Sequence, residues 1–267
     1  MSQFLGSAEK ALNLIALFDP AHQDFYAQEF SHLLSIPLST TYKYLELLTR
    51  KGFLVKNPDS KKFSLGYTVF KLGNLMPEGL KLVDLALPSM KSFSAESGET
   101  VLLTVLNGWE AICLERIETQ KLIKLSLERG STFPLHASAP AKVLLAYQDD
   151  HFVEEMIKRV GLPPLTRNTI QDPSRLRKEL AKIRKQGMAF SNSEADYGAG
   201  SLAAPVFDHK ERIVAGLAVA GPSDRVNIRK NPQLIDMVKK HAMQISRKLG
   251  YACDPLECSR LQKRGVI

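Results

Sequence analysis

Long apolar runs are missing from this chain. No stretch approaches the roughly 18 residues that a membrane span requires, so a transmembrane helix and a membrane partner are not expected. The opening "MSQFLGSAEKALNLIALFD" carries neither a basic n-region nor a small-residue cleavage site. It reads as the first helix of a cytoplasmic protein. Cysteine is scarce, with three among 267 residues. An odd count without a CxxC pair argues against a disulfide framework and against a zinc ribbon. Cys113, Cys253 and Cys258 read as structural thiols, because free cysteine packs as a small hydrophobe. Neither a GxSxG elbow, nor HExxH, nor GxxxxGK[ST] occurs. Those absences weigh against the commonest hydrolase, metalloprotease and nucleotide-binding readings. There is no internal repeat and no low-complexity tract.

What remains is the composition of a globular protein, 44% hydrophobic and 24% charged. The length suits one large domain or two ordinary ones. Net charge is +8 and the pI is about 9.3, a balance that points to an anionic partner. Position matters more than the total. Residues 1–78 hold about 8 basic and 7 acidic side chains and are almost neutral. Within them, Lys43, Arg50, Lys51, Lys56, Lys61 and Lys62 face only Glu46 and Asp59 between Ser31 and Lys62. A later excess, Arg225 to Arg264, is explained by solvated helix faces.

The first segment reads helix, helix, helix, hairpin. Ser7 is a candidate cap for a helix through "AEKALNLIALFD", whose Ala11, Leu14, Ile15 and Phe18 recur at helical spacing. "YAQEFSHLL" predicts a second helix with Tyr26, Phe30, Leu33 and Leu34 inward. Ser35-Ile36-Pro37 breaks it, since the residue before proline avoids the α region. A third helix starts near Pro37 or Leu38, a position proline tolerates. Thr41, Leu45 and Leu48, helped by Tyr44, form its inward stripe. Ser39, Thr40, Tyr42, Lys43 and Glu46 fall outside. Gly52 ends it after Arg50 and Lys51, which suit a helix C-terminus. Phe53–Lys56 and Lys62–Leu65 then flank the turn residues of "NPDS". Three helices and a basic hairpin describe a winged helix-turn-helix.

A connector follows, mostly helical, with interruptions expected at Gly73, Pro77 and Pro88. From Thr100 the pattern changes. "TVLLTVLNG", "EAICLERIE" and "LIKLSLE" read as strands. "SAPAKVLLAY", "DHFVEEMIKRV" and "PSRLRKELAKIRKQ" read as helices. "GMAFSN", "SLAAPVFD" and "IVAGLAVAG" are strands again, and "NPQLIDMVKKHAMQISRKLG" is a final amphipathic helix. Strands neighbour one another as hairpins rather than alternating regularly with helices, so the class is α+β. Three parts are expected: residues 1–78, a winged helix-turn-helix with its connector; residues 79–252, a second domain; and Cys253 to Ile267, a polar tail expected to fray.

In a helix-turn-helix the start of the second motif helix enters the major groove. Hydroxyls for base edges or phosphates, a cation and an aromatic body are what Ser39, Thr40, Tyr42 and Lys43 supply. An ordinary capped surface helix would use Ser39 and Thr40 equally well. The breaker before the helix and the basic hairpin after it, with Lys56, Lys61 and Lys62, favour duplex DNA. A winged helix that docks protein is a further alternative.

"SAEKALNLIALF", "SIPLSTTYKYLELLTRKGFL" and "KKFSLG" resemble the N-terminal domain of IclR-type transcriptional regulators. "GSTFPLHASAPAKVLLA", "EADYGAGSLAAPVFD" and "VAGLAVAGPSDR" resemble that family's effector domain in order and spacing. The likeness spans about residues 5–250. It implies a GAF-like second domain with a central antiparallel sheet, a homodimer or dimer of dimers on a partly palindromic operator, and a small organic effector. Where the family carries Gly-Leu-Pro-x-Ser-Thr-x-x-Arg, this chain has Ser35 for the turn glycine and Lys43 for the arginine. Ser35 sits where φ > 0 is preferred, and lysine is less suited than arginine to bidentate guanine recognition. Pro140 replaces a small loop residue. Ala218 and Ala220 stand where some carboxylate-sensing members carry serine.

"HASAP", "EADYGAGS" and "LAVAGP" are small-residue loops that can close around a ligand or simply pack at strand ends. With the resemblance, Ala139, Pro140, Ala199, Ser201, Ala218 and Ala220 are expected to line a pocket, with Ser191 and Asp196 as polar partners. Such a pocket favours a ligand with a sizeable apolar body. Gly198 and Gly200 lack the strand-turn-helix context of a dinucleotide loop. His136 is a candidate base or metal ligand, with Glu194 and Asp196 only if the fold gathers them; a hydrogen-bonded structural histidine is the plainer reading. No cofactor and no catalysis are expected. The alternative is a ligand-binding enzyme with a fused winged-helix interaction module.

Overall fold

The computed structural model describes residues 2–19, 22–75, 77–122, 124–125 and 127–252. The expected tail lies outside them. The chain divides into two compact units between Leu80 and Lys81.

In the first unit α1 (Ser2–Ala16), α2 (Ala27–Leu33) and α3 (Leu38–Arg50) precede a hairpin of β2 (Leu54–Lys56) and β3 (Phe63–Leu65). A two-residue strand β1 (Asp24–Phe25), not foreseen in the sequence, pairs with β3 and completes an antiparallel sheet of order β1-β3-β2. The core is Leu14, Phe25, Phe30, Leu45, Leu54 and Phe63, with Phe18, Phe25 and Phe30 in mutual ring contact. Such aromatic contacts stabilise beyond their buried area.

Three expectations are corrected here. Ser7 lies inside α1 rather than at its cap. Gly6 does not stop the helix, because one glycine disfavours it by only about 1 kcal/mol. On α2 the inward positions are Ala27 and Phe30, with the half-buried Leu34 just past its end, spaced three and four apart. Leu33 is off that stripe, and Tyr26 precedes the helix, so both are exposed. Neither Gly73 nor Pro88 interrupts a helix: α4 (Tyr67–Asn74) runs through the first and α5 (Pro77–Ser97) through the second. Pro88 removes one backbone bond, and the fully buried Ala86, Met90 and Phe93 around it hold α5 together.

The second unit is a six-stranded antiparallel sheet of order β6-β5-β4-β9-β8-β7. Its strands are β4 (Thr100–Asn107), β5 (Glu110–Ile117), β6 (Thr132–Pro134), β7 (Ala189–Asn192), β8 (Ala199–Phe207) and β9 (Ile213–Pro222). Side chains alternate between the two faces. Val101, Leu103, Leu217 and Val219 pack toward α5 and α9 (Gln233–Lys248). Leu102, Ala203, Ala218 and Ala220 pack toward α6 (Ala139–Ala146), α7 (Asp150–Val160) and α8 (Pro173–Gln186).

"LIKLSLE" forms no strand among its described residues. The edge of β5 is instead taken by the chain from Gly130 onward, where the Gly130 N–H donates to the Cys113 carbonyl, the Cys113 N–H donates to the Ser131 carbonyl, and β6 follows. Arg116 donates to the Leu127 carbonyl and fixes the displaced loop. Cys113 is buried, and burial pushes its thiol up to about 11, so it stays protonated.

Ser35 adopts φ 51° between α2 and α3. A side chain there costs about 1–2 kcal/mol, against about 0.5–1 kcal/mol of chain freedom that glycine would lose. Ser35→Gly should therefore stabilise the first unit by about 0.5–1 kcal/mol. Denaturant unfolding checks this, and a lower midpoint would contradict the left-handed turn.

Candidate nucleic-acid interface and ligand cavity

Thr41, Leu45 and Leu48 bury one side of α3, and Ser39, Tyr42 and Lys43 are exposed on the other, with Thr40 half-buried. The cap position is Pro37, which offers no side-chain hydrogen bond. The Thr41 hydroxyl donates back to the Pro37 carbonyl at 3.2 Å, a bond within the first turn. Ser39 and Thr40 therefore do not cap the helix. Their hydroxyls have no hydrogen-bond partner among the described residues, which leaves them open to an outside acceptor or donor.

The hairpin is closed by Asn57, whose side-chain oxygen accepts from the Asp59 and Ser60 backbone at 2.9 and 3.0 Å. Lys56 and Tyr42 share a shallow groove between α3 and the hairpin, and the Lys56 ammonium lies 5.4 Å from the Phe63 ring centre. Lys61 is exposed at the tip, at φ 64°. Lys62 differs from both. Its ammonium pairs with Asp24 at 2.7 Å and sits 5.2 Å from the Tyr26 ring centre. The Asp24 hydrogen bond holds it above the usual lysine value. Lys62 anchors β1 to the hairpin, and its charge is already neutralised locally.

In the second unit a cavity of about 110 Å³ opens where α6 begins over the sheet. Of the expected residues, Pro140, Ser191, Asp196, Ala199, Ser201 and Ala220 line it. Ala139 lies just behind, its backbone N–H donating to the Ser201 hydroxyl at 3.2 Å. Ala218 is not at the wall. It is fully buried beneath α6, beside Ala203, and with Gly216 it lets the helix lie close to the sheet. A methyl added at Gly216 would meet Val143 at 2.8 Å. Two residues apart on one face, Ala218 and Ala220 thus take different roles.

Sequence reasoning missed several wall residues. Leu125 and Leu127 come from the loop read as a strand, and Leu102 and Phe133 from β4 and β6. Ser138, the residue before α6, adopts φ 76°. Its buried hydroxyl lines the cavity and has no hydrogen-bond partner among the described residues. A strained backbone beside an unpartnered buried hydroxyl is characteristic of ligand sites. The "HASAP" loop was a signal for this region, but nothing local distinguished Ser138.

Lys142 was also missed. It is fully buried on α6, and its ammonium is 2.7 Å from Glu194, 3.0 Å from the Phe190 carbonyl and 3.6 Å from Glu179. Burial pushes the Glu194 carboxyl up while Lys142 pulls it down, and the net direction is upward. The Thr169 hydroxyl donates to the Glu194 carbonyl at 2.6 Å. Together these hold the loop that carries Ala195 and Asp196 over the cavity. His136 is elsewhere engaged, with Nε2 3.0 Å from the Pro163 carbonyl, and burial lowers its pKa. No group of three or more histidine, cysteine or acidic side chains gathers among the described residues.

A helix-turn-helix unit joined to an α+β unit with a cavity at the start of α6 defines the class of transcriptional regulators that pair a DNA-binding domain with an effector domain. Residues 7–58 match the IclR helix-turn-helix domain, and residues 77–247 match the bacterial transcriptional regulator IclR C-terminal domain. The chain belongs to the IclR family of transcriptional regulators. It is 32% identical over 223 residues to the HTH-type transcriptional regulator KipR of Bacillus subtilis, covering 84% of this chain and 89% of that one. It is 27% identical over 246 residues to the transcriptional repressor IclR of Escherichia coli, covering 91% and 90%. The crystal structure of Thermotoga maritima IclR aligns at a TM-score of 0.68 with 30% identity, covering 92% of this chain and all of that one, 100%. An IclR homologue of Microbacterium hydrocarbonoxydans, solved with 4-hydroxybenzoate, aligns at a TM-score of 0.79 with 22% identity, covering 91% and 98%. At that identity the last comparison speaks for the fold.

Lys142→Met should destabilise the second unit by about 3–5 kcal/mol, because it strands a buried carboxylate. Adding Glu194→Gln should recover much of that loss. A double-mutant cycle by urea denaturation measures the coupling, and strictly additive effects would show that the pair does not hold the loop.

Proposed function

We propose that this protein binds duplex operator DNA through α3 and the basic hairpin, and that a small organic effector in the α6 cavity alters that binding. The observation that carries the effector half is the buried, unpartnered Ser138 hydroxyl at a strained position on the cavity wall. The free hydroxyls of Ser39 and Thr40 beside Tyr42 and Lys43 support the DNA half. The protein acts in the cytoplasm, without turnover, as a homodimer or dimer of dimers on a partly palindromic site. Two-fold symmetric sites are what a helix-turn-helix dimer reads. The effector changes occupancy only if it binds one arrangement of the assembly better than another, since equal affinity shifts nothing.

The wall chemistry restricts the ligand. Leu102, Leu125, Leu127, Phe133 and Ala220 are apolar, and three serines, Ser138, Ser191 and Ser201, supply hydroxyls. Among the described residues no cationic side chain lines the cavity, and Asp196 is the one charged residue on its wall. A tiny, strongly hydrated acid would recover little of its lost hydration there. An acid with an apolar body gains from burial at about 25 cal/mol per Å². The volume also sets a limit, because a cavity of roughly 150 Å³ takes a benzene ring and this one is smaller as it stands. A short branched or linear acid fits directly. An aromatic acid such as the 4-hydroxybenzoate held by the Microbacterium homologue requires the Leu125–Leu127 loop to yield.

Tyr42→Ala and Lys43→Ala should each weaken binding to a site recovered by in vitro selection by about 1–3 kcal/mol without lowering thermal stability. Lys56→Ala and Lys61→Ala should weaken binding to all sequences and flatten the salt slope, Lys62→Ala much less. Unchanged gel-shift affinity in the Tyr42, Lys43 double variant would remove α3 from the interface.

Ala220→Phe should fill the cavity and abolish ligand-induced stabilisation while leaving DNA affinity intact. Calorimetric titration should rank a four- to six-carbon acid above pyruvate. A clear preference for pyruvate would show that the apolar wall does not set ligand size.

A further inference from the structure

A second hollow lies at the other end of α6. Tyr147 follows that helix, Arg184 stands in the last turn of α8, Phe207 ends β8, and Lys239 and Met243 lie on α9. With Tyr251 they wall a cleft of about 300 Å³. None of its lining residues belongs to the cavity beneath Ser138.

The sheet explains why a cleft is left there. β7 begins at Ala189, opposite Ala203, so residues 204–207 of β8 pair with β9 on one side only. An open edge normally invites another strand, but this one cannot take one. The Phe207 N–H points away from β9 and donates to the Ser246 hydroxyl at 3.0 Å. Alternate residues of a strand direct their backbone groups to the same side, so Pro205 faces the same way and has no N–H to give. The edge is a floor without unpaired donors, suited to a small molecule rather than a peptide strand.

The walls have a definite chemistry. The Tyr147 ring meets Phe207 edge-on at 5.2 Å, and Phe207 stacks on Tyr251 at 5.3 Å. The Tyr147 hydroxyl has no hydrogen-bond partner among the described residues. Burial pushes that phenol up to about 12, so it remains a donor. Lys239 is half-buried, and burial lowers its pKa although Asp236 opposes this. An anion placed near it would favour the charged ammonium. Arg184 stands 3.7 Å from Asp150 and is largely solvated. Among the described residues Glu211 is the one carboxylate on the wall, beside the cations of Lys239 and Arg184 and the phenol of Tyr147.

We infer that this cleft is a second ligand site, for a flat aromatic carboxylate whose ring lies against Tyr147, Phe207 and Tyr251 and whose charge faces Lys239 and Arg184. The volume accommodates such a ring without rearrangement, since about 150 Å³ is enough for benzene. The site stands independently of the effector cavity, and its occupancy has its own reporter in Met243.

The test uses the full-length protein with ¹³C-methyl methionine, the Met243 signal being assigned by its loss in Met243→Leu. Sodium benzoate is the probe and benzyl alcohol its neutral counterpart. Benzoate should shift the Met243 methyl in a saturable way, and benzyl alcohol should bind about tenfold more weakly or worse, the loss expected for a charged hydrogen bond. Lys239→Met and Tyr147→Phe should each weaken benzoate by a similar factor. Arg184→Ala, on an exposed side chain, gives a variant that does not threaten folding and should weaken benzoate as well. Ala220→Phe should leave the Met243 response in place. The inference is overturned if millimolar benzoate leaves Met243 unmoved, if benzyl alcohol binds equally well, or if folded Lys239→Met and Arg184→Ala proteins bind benzoate as the parent does. Loss of the response in Ala220→Phe would also overturn it, because the signal would then come from the other cavity.

Discussion

One ammonium group inside the second unit constrains much of what surrounds it. All eight residues of α6 are buried, Lys142 among them. A lysine so placed must be paired and hydrogen-bonded. Glu194 and the Phe190 carbonyl meet that demand from β7 and the loop after it. A buried ion pair is weak evidence for stability, because desolvation offsets the attraction. Its effect here is positional. It brings the loop after β7 across the start of α6, and that loop carries Ala195 and Asp196 to the cavity wall. The Thr169 and Thr166 hydroxyls reinforce it from the segment before α8, each donating to a loop carbonyl.

The position of α6 depends on small residues below it. Gly216 leaves no room for a methyl, and the Thr104 hydroxyl donates to the Pro140 carbonyl at 3.2 Å. The helix start is thereby held against β4 and β9. The left-handed Ser138 turn delivers the chain to that start and aims a hydroxyl into the remaining space. Leu102 of β4 lines the cavity, while its neighbours Val101 and Leu103 pack on the opposite face with α5 and α9. The cavity and α5 therefore lie on opposite faces of the same strand.

The first unit is organised by a different economy of contacts. Its core is small and aromatic, and the hydroxyls of Ser39 and Thr40 lie past the cap position, which Pro37 occupies. The three hairpin lysines are not equivalent. Asp24 claims Lys62 for the unit's own sheet, whereas Lys56 stands beside Tyr42 and the exposed Lys61 donates to the Pro58 carbonyl within the turn. Electrostatic reading of a basic hairpin therefore depends on a two-residue strand whose Asp24 lies 38 positions before Lys62.

Local rules determined a good deal. The spacing of Thr41, Leu45 and Leu48 fixed which face of α3 is buried, and so which residues face out. The proline after Ser35 and Ile36 marked the break between α2 and α3, and strand alternation put Ala218 and Ala220 on one face. These follow from helical and strand periodicity, which involve only near neighbours in sequence. Tertiary structure decided the rest. Pro88 passes through a helix because of what packs around it. Leu125 and Leu127 of "LIKLSLE" became cavity wall because the β5 edge was already taken. Ala218 and Ala220 parted roles because α6 covers one and not the other. Lys142 and Glu194 meet across 52 positions, a separation at which residue type and spacing carry no information, since only the folded sheet and helix bring the two charges within bonding distance.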